Sequence, residues 1–196
     1  MNYVKDQSKR CREEWFQNHK ATVLLESADQ GTIISWQNPD SWNYGCHFII
    51  HRRWLIVVGD IGEAVYEWSQ DLTLEFLAGL DFHYFHGKCQ ASETGRRFTQ
   101  WSSKSAFKCL DDWLKENYDE SGAKSETIEE LQSLTENSAE DEFKSVCDSV
   151  YRNGMDPEIC SMFLEAGNVP NCRAIGHFVG LQMAIEYLRA AKEVTA

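Results

Sequence analysis

Between Ala21 and Trp68 the chain carries five short runs rich in β-branched and aromatic residues: ATVLLES, GTIISWQ, GCHFIIH, WLIVVGD and EAVYEW. The punctuation between them is ADQG, QNPDSWNYG, a tight HRR link and DIG. A parallel crossover needs a dozen or more residues. None of these links has them, which favours antiparallel neighbours for successive strands. This predicts a meander of four or five strands, with Cys46, Phe48 and Ile50 facing one way and His47, Ile49 and His51 the other.

The apolar period then changes. LTLEFLAGL and the DFHYFHGKC stretch predict one or two short helices, ended by Gly79 or Gly87. From Ser102 onward the spacing is helical. Phe107, Leu110, Trp113 and Leu114 make one stripe, and Ile128, Leu131 and Leu134 a second. Phe143, Val146, Cys147 and Val150 make a third, introduced by Ser138 with Asp141 in a capping-box-like spacing. Asp156-Pro157 supplies an N-cap and an N1 proline for a fourth helix, which Gly167 stops. Ile175, Phe178, Leu181, Ile185 and Leu188 make the last, with Gly176 and Gly180 permitting close contact within the fold or across a homodimer. A further helix over residues 3–20 would bury Val4, Cys11, Trp15 and Phe16. The fold class is therefore α+β, an N-terminal antiparallel β-meander followed by a largely helical C-terminal half. Residues 1–101 form the sheet-containing domain. Residues 102–196 form an acidic helical region, packed on the sheet or standing apart.

Compartment follows from what is missing. MNYVKDQSKRCREEWF has no apolar signal-peptide core, and no run of about 18 apolar residues could span a membrane. Seven scattered cysteines, an odd number, fit free thiols in a reducing cytoplasm better than a disulfide framework.

The net charge of −12 is regional. Asp111 to Glu165 holds 16 acids and 4 bases, and the remainder is balanced at 15 and 15. Asp112, Glu116 and Asp119 recur at helical spacing, Glu129 and Glu130 flank the second stripe, and Glu140, Asp141 and Glu142 open a helix. Few lysines or arginines stand ready to balance them through i,i+4 pairs. These eight acids read either as a solvated helical face, with acids in a first turn favouring the helix dipole, or as the candidate docking surface for a basic partner, since charge complementarity gives fast, salt-sensitive association.

Chemistry has weaker candidates. His83, His86 and Cys89 are spaced three apart, the spacing of zinc ligands on one helical face. Phe82, Tyr84 and Phe85 interleave with them and favour an aromatic packing segment. His47 and His51 share a strand face but no spacing joins them to that trio. The strand end WLIVVGDIG places Asp60 where metal-dependent hydrolases hold a carboxylate, yet one carboxylate does not hold a two-metal centre. Gly59 and Gly62 there also suit a plain turn. Pro39-Asp40 and Glu142-Phe143-Lys144 spell two halves of a nuclease signature about a hundred residues apart. Arg52, Arg53 and Trp54, and Arg96, Arg97, Phe98 and Trp101, are basic–aromatic groups of a kind that binds nucleic acid. The overall charge opposes phosphate, so pairing with the chain's own acids is the favoured reading. No phosphate-binding loop, dinucleotide fingerprint or nucleophile elbow is present, and no cofactor is expected.

The segment VVGDIGEAVYEWS…LEFLAGLDFHYFHGKCQAS…GRRF…W, residues 57–101, resembles a stretch of small phage- and prophage-encoded accessory proteins. The resemblance implies a protein acting in a bacterial host cytoplasm. That class includes inhibitors of host machinery, among them anti-CRISPR proteins that mimic nucleic acid. The combined expectation is a non-enzymatic acidic inhibitor of a host nucleic-acid-binding defence complex, with no membrane or direct nucleic-acid partner. The alternatives are a metal-dependent hydrolase using Asp60, His83 and His86, and a phage structural or assembly component.

Overall fold

The computed structural model describes residues 3–27, 29–93, 98–117 and 126–195. Two compact units emerge: Met1–Thr99 with Pro170–Ala196, and Gln100–Val169. The sequence division at residue 101 grouped every later helix together. The structure instead returns the last helix to the sheet unit.

In that unit, α1 (Tyr3–Arg10) runs into a π-helical turn, Cys11–Trp15, and then into the sheet. The five expected strands are β1 (Lys20–Ser27), β2 (Gly31–Asn38), β3 (Ser41–His51), β4 (Trp54–Gly59) and β5 (Ala64–Glu67), antiparallel in sequence order. The meander continues into a sixth strand, β6 (Cys89–Ser92), which pairs with β5. Between β5 and β6 lie α2 (Leu74–Ala78) and α3 (Phe82–His86), capped at their N-termini by Thr73 and Asp81 and ended by Gly79 and Gly87.

Register explains the core. Ile34 pairs with Phe48, Trp36 with Cys46, Phe48 with Val57, and Leu55 with both Ile50 and Tyr66. All of these are buried, because residues directly opposite across antiparallel strands project to the same face. The final helix, α8 (Cys172–Thr195), packs on β1 and β2 and buries Ala174, Ile175, Val179, Leu181, Ala184 and Ile185. Its two glycines serve this packing. A Cβ at Gly176 would meet the Trp15 ring at 2.8 Å, and one at Gly180 the Phe16 and Phe48 rings at 3.2 and 3.4 Å.

A polar network crosses this core. The buried His177 ring donates through Nε2 to Ile61 O at 3.0 Å. A carbonyl only accepts, so Nδ1 is unprotonated and accepts from Tyr66 Oη at 3.0 Å. Burial lowers the His177 pKa to about 4 and pushes Tyr66 well up.

The helical unit contains α4 (Ser103–Asn117), α5 (Glu126–Gln132), α6 (Glu140–Arg152) and α7 (Pro157–Gly167). Short strands β7 (Thr99–Trp101) and β8 (Asn168–Pro170) pair as a two-stranded ladder. The core of the unit is Ala106, Leu110, Leu131, Leu134, Phe143, Cys147, Val150, Cys160 and Phe163; six of these come from the expected stripes, Ala106, Cys160 and Phe163 were not in them, and Phe107, Trp113, Leu114 and Val146 pack against it half-buried. Asp156 caps α7 as expected, accepting from Glu158 N at 2.8 Å. Ser138 does not cap α6. Its hydroxyl accepts from Thr135 N at 3.1 Å inside the preceding turn, and Ala139 is the N-cap, without a side-chain bond.

Candidate functional site

The helical unit concentrates charge more sharply than the sequence count suggested. Gln100–Val169 holds 16 acids against 6 bases, a balance of −10, whereas the sheet unit holds 15 against 13, a balance of −2. Among the described residues the acids are spread over all four helices, with Glu136 in the turn before α6 and Asp156 at the α7 cap.

The expectation that lysines are missing from i,i+4 positions is corrected. Lys108 pairs with Asp112, Lys115 with Asp111, and Lys144 with Glu140 at 2.7 Å. The hydrogen bond from Lys108 holds the Asp112 carboxyl below its usual range, and that to Glu140 raises Lys144. Each lysine lies four residues from its acid, so the spacing was present in the sequence and was outweighed by the total. Glu130 is half-buried, and its Oε2 finds no partner. Glu116, Glu129, Asp141 and Glu142 are exposed and form no ion pair among the described residues. Asp119 lies outside the described residues. Of the eight acids expected as a candidate docking surface, Glu116, Glu129, Asp141 and Glu142 are thus the exposed ones without an ion pair among the described residues.

Helices α4 and α7 pack together and leave a groove between them. Two adjoining hollows, of about 400 and 560 Å³, share Cys109 and Met162 in their walls. Trp113 adds an apolar wall, while Glu116, Glu158 and Glu165 bring carboxylates to the groove. Met162 is 39% exposed on this groove. Glu158, Met162 and Glu165 were not singled out from sequence. Their i, i+4, i+7 spacing was the available signal, matched on α4 by Cys109, Trp113 and Glu116. Shape and charge together suit a basic amphipathic segment: the apolar walls would bury its apolar side and the carboxylates would pair with its cations.

The metal candidates do not assemble. Among the described residues, no three His, Cys, Asp or Glu side chains are grouped to hold an ion. His83 is exposed on α3, and His86 lies against the Phe82 ring at 5.5 Å with Nε2 3.3 Å from Phe98 O. Cys89 belongs to β6 instead of the helix, and its thiol donates to Ala91 O at 3.5 Å. Gly87 ends α3 before the third position of the helical pattern is reached. The Asp60 carboxylate accepts the Tyr44 amide at 2.7 Å, and Gly59 and Gly62 take φ values of 145° and 91° in its turn. His47 is half-buried, with its ring 5.3 Å from Trp42, whereas His51 is exposed.

The remaining sequence candidates have structural roles. Arg53 pairs with Glu67 at 3.0 Å and lies 5.5 Å over the Trp54 ring, and Arg52 takes φ 52° in the hairpin turn. Arg96 and Arg97 lie outside the described residues. Phe98 is buried, and Trp101 packs at 5.4 Å against Phe143. Pro39-Asp40 forms the β2–β3 turn of the sheet unit, while Glu142-Phe143-Lys144 lies in α6 of the helical unit. All seven cysteines are free thiols, and no described helix is long and apolar enough to cross a membrane.

Comparison of the chain with protein-family models, with curated proteins and with solved structures returns no match.

Proposed function

We propose that the protein is a non-enzymatic interaction protein whose helical unit docks on a basic, nucleic-acid-binding surface of another protein. The observation that carries this reading is the segregation of charge: a balance of −10 in Gln100–Val169 against −2 in the rest of the chain. Like charges held close destabilise the unit that carries them. An opposed basic surface offsets that repulsion, and the acid-flanked α4–α7 groove adds an apolar foothold. The likeness of residues 57–101 to phage accessory proteins favours a host defence complex as the partner, with the acidic unit standing in for nucleic acid.

Reversal of Glu116, Glu129, Asp141 and Glu142 to lysine takes the net charge from −12 to −4 and tests the reading. Wild-type protein immobilised in bacterial lysate should capture nucleic-acid-binding proteins, releasing them to added duplex DNA and to high salt. The reversed variant should bind the same proteins about a hundredfold more weakly, four exposed pairs contributing up to about 1 kcal/mol each. Equal affinity of variant and wild type, or capture indifferent to salt, overturns it.

A further inference from the structure

A different part of the molecule carries a second, independent inference. In the β2–β3 pairing, Trp36 faces Cys46 and Asn38 faces Ser41. Gln37 therefore opposes four residues, Trp42 to Gly45, and the strand bulges outward. Three features hold the bulge. Tyr44 takes a left-handed φ of 58°, strained for a non-glycine residue. Its amide donates to the Asp60 carboxylate at 2.7 Å, while Asp60 N donates to Gly45 O at 2.8 Å. Gly59 admits this approach, since a Cβ there would stand 2.4 Å from Gly45 O. Bulges commonly re-aim side chains beside functional sites.

Beside the bulge is a pocket of about 240 Å³. Its walls include the carboxamides of Gln17, Asn18, Asn38 and Asn43 and the rings of Trp15, Tyr44 and His19. His19 is 7% exposed, and neither ring nitrogen has a hydrogen-bond partner. Burial lowers its pKa, an effect that the backbone of Tyr44 and Asn43 beside it opposes without completing a bond. An orphaned buried imidazole is costly, so the strand is held in a strained shape around a polar group that lacks its partners.

We infer that this pocket binds a small, uncharged, hydroxyl-rich ligand about the size of one sugar ring. Neutral imidazole and carboxamides each offer both a donor and an acceptor, the pairing that a hydroxyl group matches. The one carboxylate in the wall, Glu14, is held by Arg10 at 2.8 Å, which leaves no free charge for an ionic ligand. The volume falls below the ~300 Å³ at which drug-sized sites begin. Tyr44, 38% exposed, offers a flat apolar face for the C–H side of a ring. A nucleobase fits less well. Trp15 and Tyr44 already stack on each other, with centroids 4.9 Å apart and planes within 1°, so no slot opens between them. The imidazole nitrogens are closed to solvent in this state, so binding requires the ring or residues 41–44 to shift and expose them.

The test is titration of the ¹⁵N-labelled full chain with glucose, galactose and N-acetylglucosamine, with the free base uracil as the control. The inference expects saturable shifts confined to the amides of residues 14–19 and 38–44 with at least one sugar. His19→Phe should weaken that binding about tenfold and His19→Gln much less. Asn43→Ala, at an exposed position that leaves folding intact, should also weaken it about tenfold. Absence of saturable shifts with every sugar, saturation by uracil alone, or unchanged affinity in both His19→Phe and Asn43→Ala overturns it. Each readout is independent of the helical unit's partner.

Discussion

The two units of this chain meet opposite demands. The sheet unit is nearly neutral, and its core is built from large rings: Phe16, Trp36, Phe48, Tyr66, Trp68, Phe82, Phe85 and Phe98. It has enough packing to hold a buried imidazole between a tyrosine and a carbonyl. The helical unit has two fully buried aromatics, Phe143 and Phe163, in a core of aliphatics and thiols against which Trp101, Phe107 and Trp113 pack half-buried, and it carries nearly all the net charge. Aromatic side chains bury the most area per residue, whereas uncompensated like charges work against compactness. The sheet unit is therefore the stable frame, and the helical unit is the part whose stability responds to its surroundings.

The largest effect that separates them is Phe143→Ala. Phe143 is fully buried and packs edge-on to Trp101. Removal of a buried phenyl ring costs about 3–5 kcal/mol, comparable with the whole stability of a small domain. Hydrogen exchange should show protection lost over 103–117 and 140–167 while 31–67 stays protected. Loss over both regions together would show one cooperative body and break the comparison.

Acid acts on the other side. The His177 pKa falls from 6.5 to about 4 on burial. Between those values the unfolded chain binds a proton that the folded chain refuses, so stability is full above pH 6.5 and declines as pH falls toward 4. The shift corresponds to about 3 kcal/mol. His177→Gln should flatten this dependence in the sheet unit and leave the helical unit's pH response unchanged. A sheet whose acid sensitivity survives the substitution would place the titrating group elsewhere.

These differences were unevenly legible in the sequence. The first five strands were readable because alternation and short links leave one solution. β6 was not: CQAS is short, lies at the sheet edge and begins inside DFHYFHGKC, whose interleaved rings read as an aromatic packing segment. The last helix showed which residues face a core, but periodicity does not name the core, and α8 proved to belong to the sheet. The acid excess was visible, while its balance by Lys108, Lys115 and Lys144 at i,i+4 was passed over. The pocket around His19 was invisible, because it depends on a four-residue bulge that reads as an ordinary loop in QNPDSWNYG.

The smallest effect compares two aspartate caps. Asp81 accepts from Tyr84 N at 2.9 Å at the start of α3 in the sheet unit, and Asp156 from Glu158 N at 2.8 Å at the start of α7 in the helical unit. Both are exposed, and alanine at either position removes the same bond and the same favourable charge at a helix N-terminus, about 1 kcal/mol. Asp156→Ala also relieves repulsion in a unit of −10, whereas Asp81→Ala acts in a unit of −2. The loss at Asp156 should therefore be the smaller at low salt, and the two should converge as screening shortens the reach of the other acids. Denaturant unfolding of each variant at two ionic strengths, followed by probes within each unit, measures the difference. A gap that does not close with salt would mean that the caps differ in geometry rather than in electrostatic surroundings.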